Sequence, residues 1–377
     1  MRTVNHTGNT VDSLYPYTNI NKKTLTPLLF KSLNSETVEI VGWECKQVHG
    51  GAGTGTEIHR ISGQSRGNDK DERWSLILKI LKPSVESTDV STWNYYKREA
   101  DAYQSGLLAD LPGGLCAPHC YGVQNHQDGV SWIWLEDVRD DIGPKWPIEH
   151  YGLVARQLGR FNGKYLEEIL PNWPWLSVNW IRGWVERSAP FVEPLRKSLD
   201  HPLVRRWLPR DQSEKYFRQW EEREPLLTAL DRLPQTLCHL DAFRRNMFAR
   251  RVNSGEYQTV LIDWAFVGRG PIGSELIPLI RGTTSFFEVD VSDFKRLGDV
   301  AFKGYMDGLR DAGWSGDPWQ ARLGYLASNI RYKFGTIRFI MNLIADESMH
   351  KRVQQTYGCQ VEELLDRWGA IGMFILL

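Results

Sequence analysis

The periodicity of apolar residues changes once along this chain, near Asp141, and that change restricts it to folds joining a strand-rich part to a helix-rich part. Before that point the segments 39–47, 56–62 and 74–81 read as strands, separated by a glycine cluster over 49–55 and a polar turn over 63–73. Within 89–108, Tyr96, Ala100, Tyr103 and Leu107 recur at helical spacing, and 130–138 is again strand-like. Beyond Asp141 helical patterns cover 151–170, 290–312, 321–345 and 361–375, with Pro/Trp-rich turns around 171–175. One sheet-like island, 236–263, interrupts them. The expected organisation is α+β and bilobal. A β-rich N-lobe spans 1–137, with 1–35 a polar lead-in, and a helix-rich C-lobe spans 138–377.

Charge narrows the partners. The 46 basic residues balance 46 acidic ones, so no bulk field favours nucleic acid or an anionic membrane, and neither is an expected partner. Five scattered cysteines argue against a disulfide framework. Cys116, His119 and Cys120 lie close enough to suggest a metal, but no second Cys/His pair follows at zinc spacing, so a structural role is expected for them. No secretory leader is visible, and the apolar run 370–377 is too short to span a bilayer. A cytoplasmic location is expected. Oligomeric state is not legible.

The chemistry concentrates in the island. His239, Leu240 and Asp241 are followed by Asn246, and the apolar run Val260-Leu261-Ile262 leads into Asp263. Phosphoryl transfer asks for an acid to orient or accept a hydroxyl proton, and for oxygen ligands that hold magnesium against phosphates. Asp241 fits the first role, Asn246 and Asp263 the second, and His239 a structural role in the loop. Read as structure alone, Asp241 and Asn246 are turn formers and Asp263 is a cap.

Other parts appear upstream in a consistent order. Gly51, Gly53, Thr54 and Gly55 offer backbone and hydroxyl donors to phosphates, although such clusters also make ordinary hairpins. Lys79 lies in an apolar strand, where an ammonium is costly without an anion. Glu99, in the next helical pattern, is its expected partner, with Glu86 as a rival. Trp134, Leu135, Glu136 and Asp137 read as a hinge whose backbone meets a nucleotide base, or as a plain edge strand.

On these residues, and on the segment 268–276, the sequence resembles the aminoglycoside phosphotransferase/choline kinase-like group, the phosphotransferase enzyme family, from about residue 39 to residue 279. The resemblance implies a protein-kinase-like fold, ATP or GTP as donor, Mg2+, and a small hydroxylated acceptor held by C-lobe helices. It departs from the family at Leu240, at Phe243-Arg244 and at Glu275, where an aspartate is usual. Arg244 and Arg245 read as solvated surface arginines, with the γ-phosphate as the alternative.

Residues 139–237 carry 16 Lys/Arg against 14 Asp/Glu together with Trp173, Trp175, Trp180, Trp184, Trp207 and Trp220, which disfavours a polycationic acceptor and suggests a bulkier, less charged natural product, such as an antibiotic. Two rivals stand beside this reading. A protein kinase is disfavoured by Trp264-Ala265 after Asp263, and a silent nucleotide-binding scaffold would lack a metal ligand, yet none is missing.

Overall fold

The computed structural model describes residues 20–48, 56–66, 71–84 and 86–374, together with the two-residue strands Thr3–Val4 and Thr10–Val11. Backbone contacts divide it into two compact units. The first comprises Met1–Val90, Tyr95–Asp110 and Ala117–Arg139, and the second Ser91–Asn94, Leu111–Cys116 and Asp140–Leu377. The two short inserted pieces belong to the second unit for visible reasons. Trp93 packs there against Trp184 and Phe266, and the strand Leu115–Cys116 pairs with Thr259 and Val260.

In the first unit seven strands form one sheet, with the two-residue strands at its edge. The five long ones are β1 (Glu39–Val48), β2 (Thr56–Arg66), β3 (Asp71–Leu81), β4 (Cys120–Asn125) and β5 (Ser131–Glu136), in the order β1-β2-β3-β5-β4 and antiparallel throughout. Side chains alternate between faces. Trp74, Leu76, Leu78, Ile80, Trp132 and Trp134 point to one face, which the helix Lys22–Ser32 covers through Leu25, Leu28 and Leu29. Leu81, Ile133 and Leu135 point to the other, against Ala100 of the helix Arg98–Gln104.

Two local expectations change here. The polar turn over 63–73 is shorter, because β2 continues to Arg66 and pairs with Asp71, backbone pairing being indifferent to side-chain polarity. The helix expected over 89–108 shrinks to Arg98–Gln104. Ser, Thr, Asp and Asn crowd 87–94, where such residues favour turns over helix.

The second unit is built on the helices Ile148–Glu167 and Phe294–Asp311. They meet along glycines. A Cβ on Gly159 would lie 2.2 Å from the Tyr305 carbonyl oxygen, and one on Gly308 would lie 2.0 Å from that of Arg156. Arg156 and Arg160 share Asp311 across the same seam.

The sheet-like island resolves into two small sheets. β6 (Gln235–Cys238) pairs with β9 (Gly268–Pro271), and β7 (Met247–Arg251) pairs with β8 (Tyr257–Leu261). The helix expected over 321–345 is two, Pro318–Ala327 and Ile330–Ala345, broken at Ser328-Asn329 where the Asn329 side chain accepts from Arg281. No helix among the described residues is long and apolar enough to cross a membrane.

Candidate active site

In the first unit the alternation of β3 decides where Lys79 points. Leu78 and Ile80 face the Lys22–Ser32 side, so Lys79 projects with Ile77 and Leu81 toward the helix Arg98–Gln104. There its ammonium meets Glu99 at 2.5 Å, and both side chains are buried. The pair forms with Glu99 and not with Glu86. A buried cation of this kind is tolerable only with such a counter-charge.

The hinge segment is committed differently from the expectation. The Glu136 N–H donates to the His119 carbonyl at 2.9 Å, and its carboxylate accepts from the His119 N–H at 3.1 Å. The Asp137 carboxylate takes two bonds from Arg60, at 2.8 and 3.0 Å, and one from Ser75. The Glu136 N–H is therefore spent inside the unit and is not a donor for a nucleotide base. Gly51, Gly53, Thr54 and Gly55 lie outside the described residues.

In the second unit, Asn246 immediately precedes β7, and Asp263 stands two residues beyond β8. Met247 and Leu261 are register partners, and the Ile262 N–H donates to the Asn246 carbonyl at 3.0 Å. Both side chains are thus delivered to the same end of one hairpin. Asp263 adopts φ +65°, a left-handed conformation that costs a non-glycine residue energy and concentrates at functional sites. Asp241 is joined to Asn246, whose amide nitrogen donates to the Asp241 carbonyl at 3.0 Å and to its carboxylate at 3.3 Å. Burial raises the Asp241 carboxyl above its ordinary value, the guanidinium of Arg331 opposes that rise, and the charge of Asp263 adds to it.

The loop carrying Asp241 is held by buried partners. His239 Nδ1 accepts from the Asp241 N–H at 3.2 Å, so Nε2 carries the proton and donates to the Ile262 carbonyl at 3.0 Å. Trp264 packs edge-on against the ring. Leu240, at φ +69°, occupies a backbone geometry natural to glycine. Its N–H is pinned by the Glu275 carboxylate at 2.9 Å, and Glu275 is wholly buried. Burial pushes the Glu275 carboxyl up to about 7. The segment 268–276 matters because β9 pairs with β6 just before this loop and delivers Glu275 beneath it.

Two arginines depart from expectation or were unforeseen. Arg244 is buried, not solvated. It donates to the carbonyls of Met247 and Gly143, pairs with Asp140 at 3.1 Å and stacks on Trp146, so it braces the loop. Arg245 is partly exposed and pairs with Glu288. Arg331 had no signal in the sequence. Its guanidinium donates to the Asp241 carboxylate at 3.0 Å and to the Leu240 carbonyl at 3.3 Å, and it lies 3.9 Å from the Trp180 ring centroid. Only the helix break at Ser328-Asn329 hints at it, by putting Arg331 at the start of a new helix.

The donors at the hairpin end suit a hard cation. The Asn246 amide nitrogen is turned to Asp241, which leaves its side-chain oxygen uncommitted to Asp241, and Asn246 and Asp263 together offer oxygen donors of the kind magnesium takes. Among the described residues no group of three or more His, Cys, Asp or Glu side chains is arranged to hold a metal. Cys116 and Cys120 belong to different units, and all five cysteines are free thiols.

The model of the phosphotransferase enzyme family matches residues 135–310, a stretch that contains Asp241, Asn246, Asp263 and Glu275, and the chain resembles that family there. No curated protein matches the chain. Among solved structures, an amicoumacin kinase in complex with AMP-PNP, Ca2+ and Ami aligns with TM-score 0.51 at 12% identity, over 85% of this chain and 88% of that one. The GDP complex of wild-type aminoglycoside 2'-phosphotransferase-IIIa aligns with TM-score 0.49 at 13% identity, over 93% and 99%. At 12% identity the likeness to the first of these concerns the fold alone, an α+β, kinase-like fold.

Proposed function

We propose that this chain is a small-molecule kinase that transfers the γ-phosphoryl group of ATP or GTP to a hydroxyl of a small acceptor. The observation that carries the proposal is the single hairpin end that presents Asn246 and Asp263 together, with Asp241 hydrogen-bonded to Asn246. Asp241 orients the acceptor hydroxyl and takes its proton as the O–P bond forms, while the bond from the γ-phosphorus to the bridging oxygen breaks and its electron pair leaves with the nucleoside diphosphate. Lys79, held by Glu99, pairs with the nucleotide phosphates. Gly51, Gly53, Thr54 and Gly55 supply further donors to them. Asn246 and Asp263 would hold Mg2+, which would supply neutralisation of phosphate charge. His239, Glu275 and Arg244 fix the loop and take no part in bond making. The reaction belongs to the cytoplasm, and neither nucleic acid nor membrane is a partner.

The test is thermal unfolding with Mg2+ and ATP or GTP, beside Asp263→Ala. A specific ligand raises the midpoint by mass action, about 2.7 kcal/mol of stabilisation at a hundred-fold excess over Kd. A magnesium-dependent rise absent from Asp263→Ala supports the assignment, and the larger of the two rises identifies the donor. No rise with either nucleotide sinks it in favour of a silent scaffold.

A further inference from the structure

Around Tyr332 the second unit gathers three cationic side chains, two of which have no carboxylate partner. Arg331 and Arg281 lie 4.5 and 5.5 Å from the Tyr332 ring centroid, and Lys333 follows on the same helix. Arg281 donates to the Asn329 amide oxygen and Lys333 to that of Gln219, both neutral acceptors. Burial pulls Lys333 down to about 8 and Arg281 down to about 10. Among the three, only Arg331 has a carboxylate partner, and that partner is Asp241, the group proposed to receive the acceptor hydroxyl. The Arg331 side chain is 7% exposed, and its buried Nε has no hydrogen-bond partner. A buried donor left unpaired beside excess positive charge is costly, and an anion is what relieves it.

The surroundings describe the rest of the ligand. Trp180 stacks on Arg331, and Trp184 lies 5.2 Å from the same guanidinium. Trp184 meets Trp93 edge-on, and Phe266, three residues beyond Asp263, packs on Trp93 and Trp180. Trp93, Trp184 and Phe266 are each only partly buried, which leaves apolar ring surface on the cluster that meets Arg331 through Trp184.

We infer that Arg331 determines acceptor specificity by binding the carboxylate of a hydroxylated, ring-bearing acid, whose hydroxyl is thereby set against Asp241 while its ring lies on Trp93, Trp184 and Phe266. Of the Arg331 donors, one terminal nitrogen is on the Leu240 carbonyl and the other on Asp241, which leaves Nε as the one a ligand carboxylate would take. The same charge disfavours an ammonium group placed directly against Arg331. This goes beyond the less charged acceptor expected from composition, and it rests on the phosphotransferase reading for the identity of the reacting hydroxyl.

The experiment titrates the full chain, by calorimetry, with mandelate, phenyllactate and tropate and with the methyl ester of each, in wild type, Arg331→Gln and Arg331→Lys. At least one acid is expected to bind about ten-fold or more tightly than its ester. Arg331→Gln should erase that preference and Arg331→Lys should keep part of it. An ester equal to its acid throughout, no binding by any acid, or a preference intact in Arg331→Gln overturns the inference. If Arg331→Gln does not fold, the wild-type comparison of acid with ester decides alone. Magnesium-dependent nucleotide binding, measured in parallel, separates the two readings. Its loss in wild type sinks the kinase proposal, whereas its presence without any acid preference sinks only this inference.

Discussion

The two units place their polar residues by different means. In the first, the sheet does the placing. Lys79 points where a strand of period two must send it, and Glu99 waits on the next helix. In the second, the segment 239–246 lies between short strands, and partners distant in sequence hold it. Glu275 pins Leu240, Ile262 receives His239, Arg244 reaches Gly143, and Arg331 clamps Asp241. Regular structure fixes a direction, whereas an irregular loop has to be fixed bond by bond, and its Leu240, like Asp263 beyond β8, is held in left-handed backbone geometry. Damage to the first unit should therefore register as lost stability, and damage to the loop as lost chemistry.

The sharpest test is Asp241→Asn. It keeps an oxygen for Arg331 and removes only the proton acceptor, so phosphoryl transfer should fall by about 10²–10⁴-fold with little change in unfolding midpoint. A large fall in stability would erase the distinction. Next comes Glu99→Leu, which strands a buried ammonium and should cost about 3–5 kcal/mol in urea unfolding, most of it recovered in Lys79→Met/Glu99→Leu. The double variant should remain inactive.

A smaller effect separates the units by pH. Glu275 titrates near 7 when folded, above its ordinary 4.5, because burial disfavours its charge. Its stabilisation is thus complete below the unfolded value and is lost as pH rises through the folded one. The unfolding midpoint should fall between about pH 5 and pH 7, and Glu275→Gln should flatten that slope. A slope unchanged in the variant assigns the effect elsewhere. Smallest is a pair of Arg→Lys changes. Arg244→Lys loses buried bonds to Met247 and Gly143 and should cost about 1–2 kcal/mol. Arg60→Lys, at a half-exposed pair with Asp137, should cost under about 1 kcal/mol.

The same contrast governs what the sequence reveals. Residues joined by a repeating pattern are legible, so the strands, the direction of Lys79 and the spacing of Asp241, Asn246 and Asp263 can be read from it. The helix over 89–108 misled because four apolar residues at helical spacing outweighed a run of turn-forming side chains. Arg331 was invisible because 90 residues separate it from Asp241, and no local pattern marks a contact of that range. Glu136 shows a third limit. Its place in a strand was readable, but the use of its N–H on His119 depends on how a neighbouring strand bends into register.

The glycine seam between the helices Ile148–Glu167 and Phe294–Asp311 has a consequence for how the chain comes into being. Gly159 and Gly308 allow approach so close that side chains of neither helix can substitute for the other backbone. During synthesis the earlier helix therefore has no partner for that face until the later one, more than a hundred residues on, has left the ribosome. Contacts that close such long loops form slowly. The second unit should complete its assembly late and in one step, and a chain ending before residue 294 should be a client of chaperones, not a smaller stable protein.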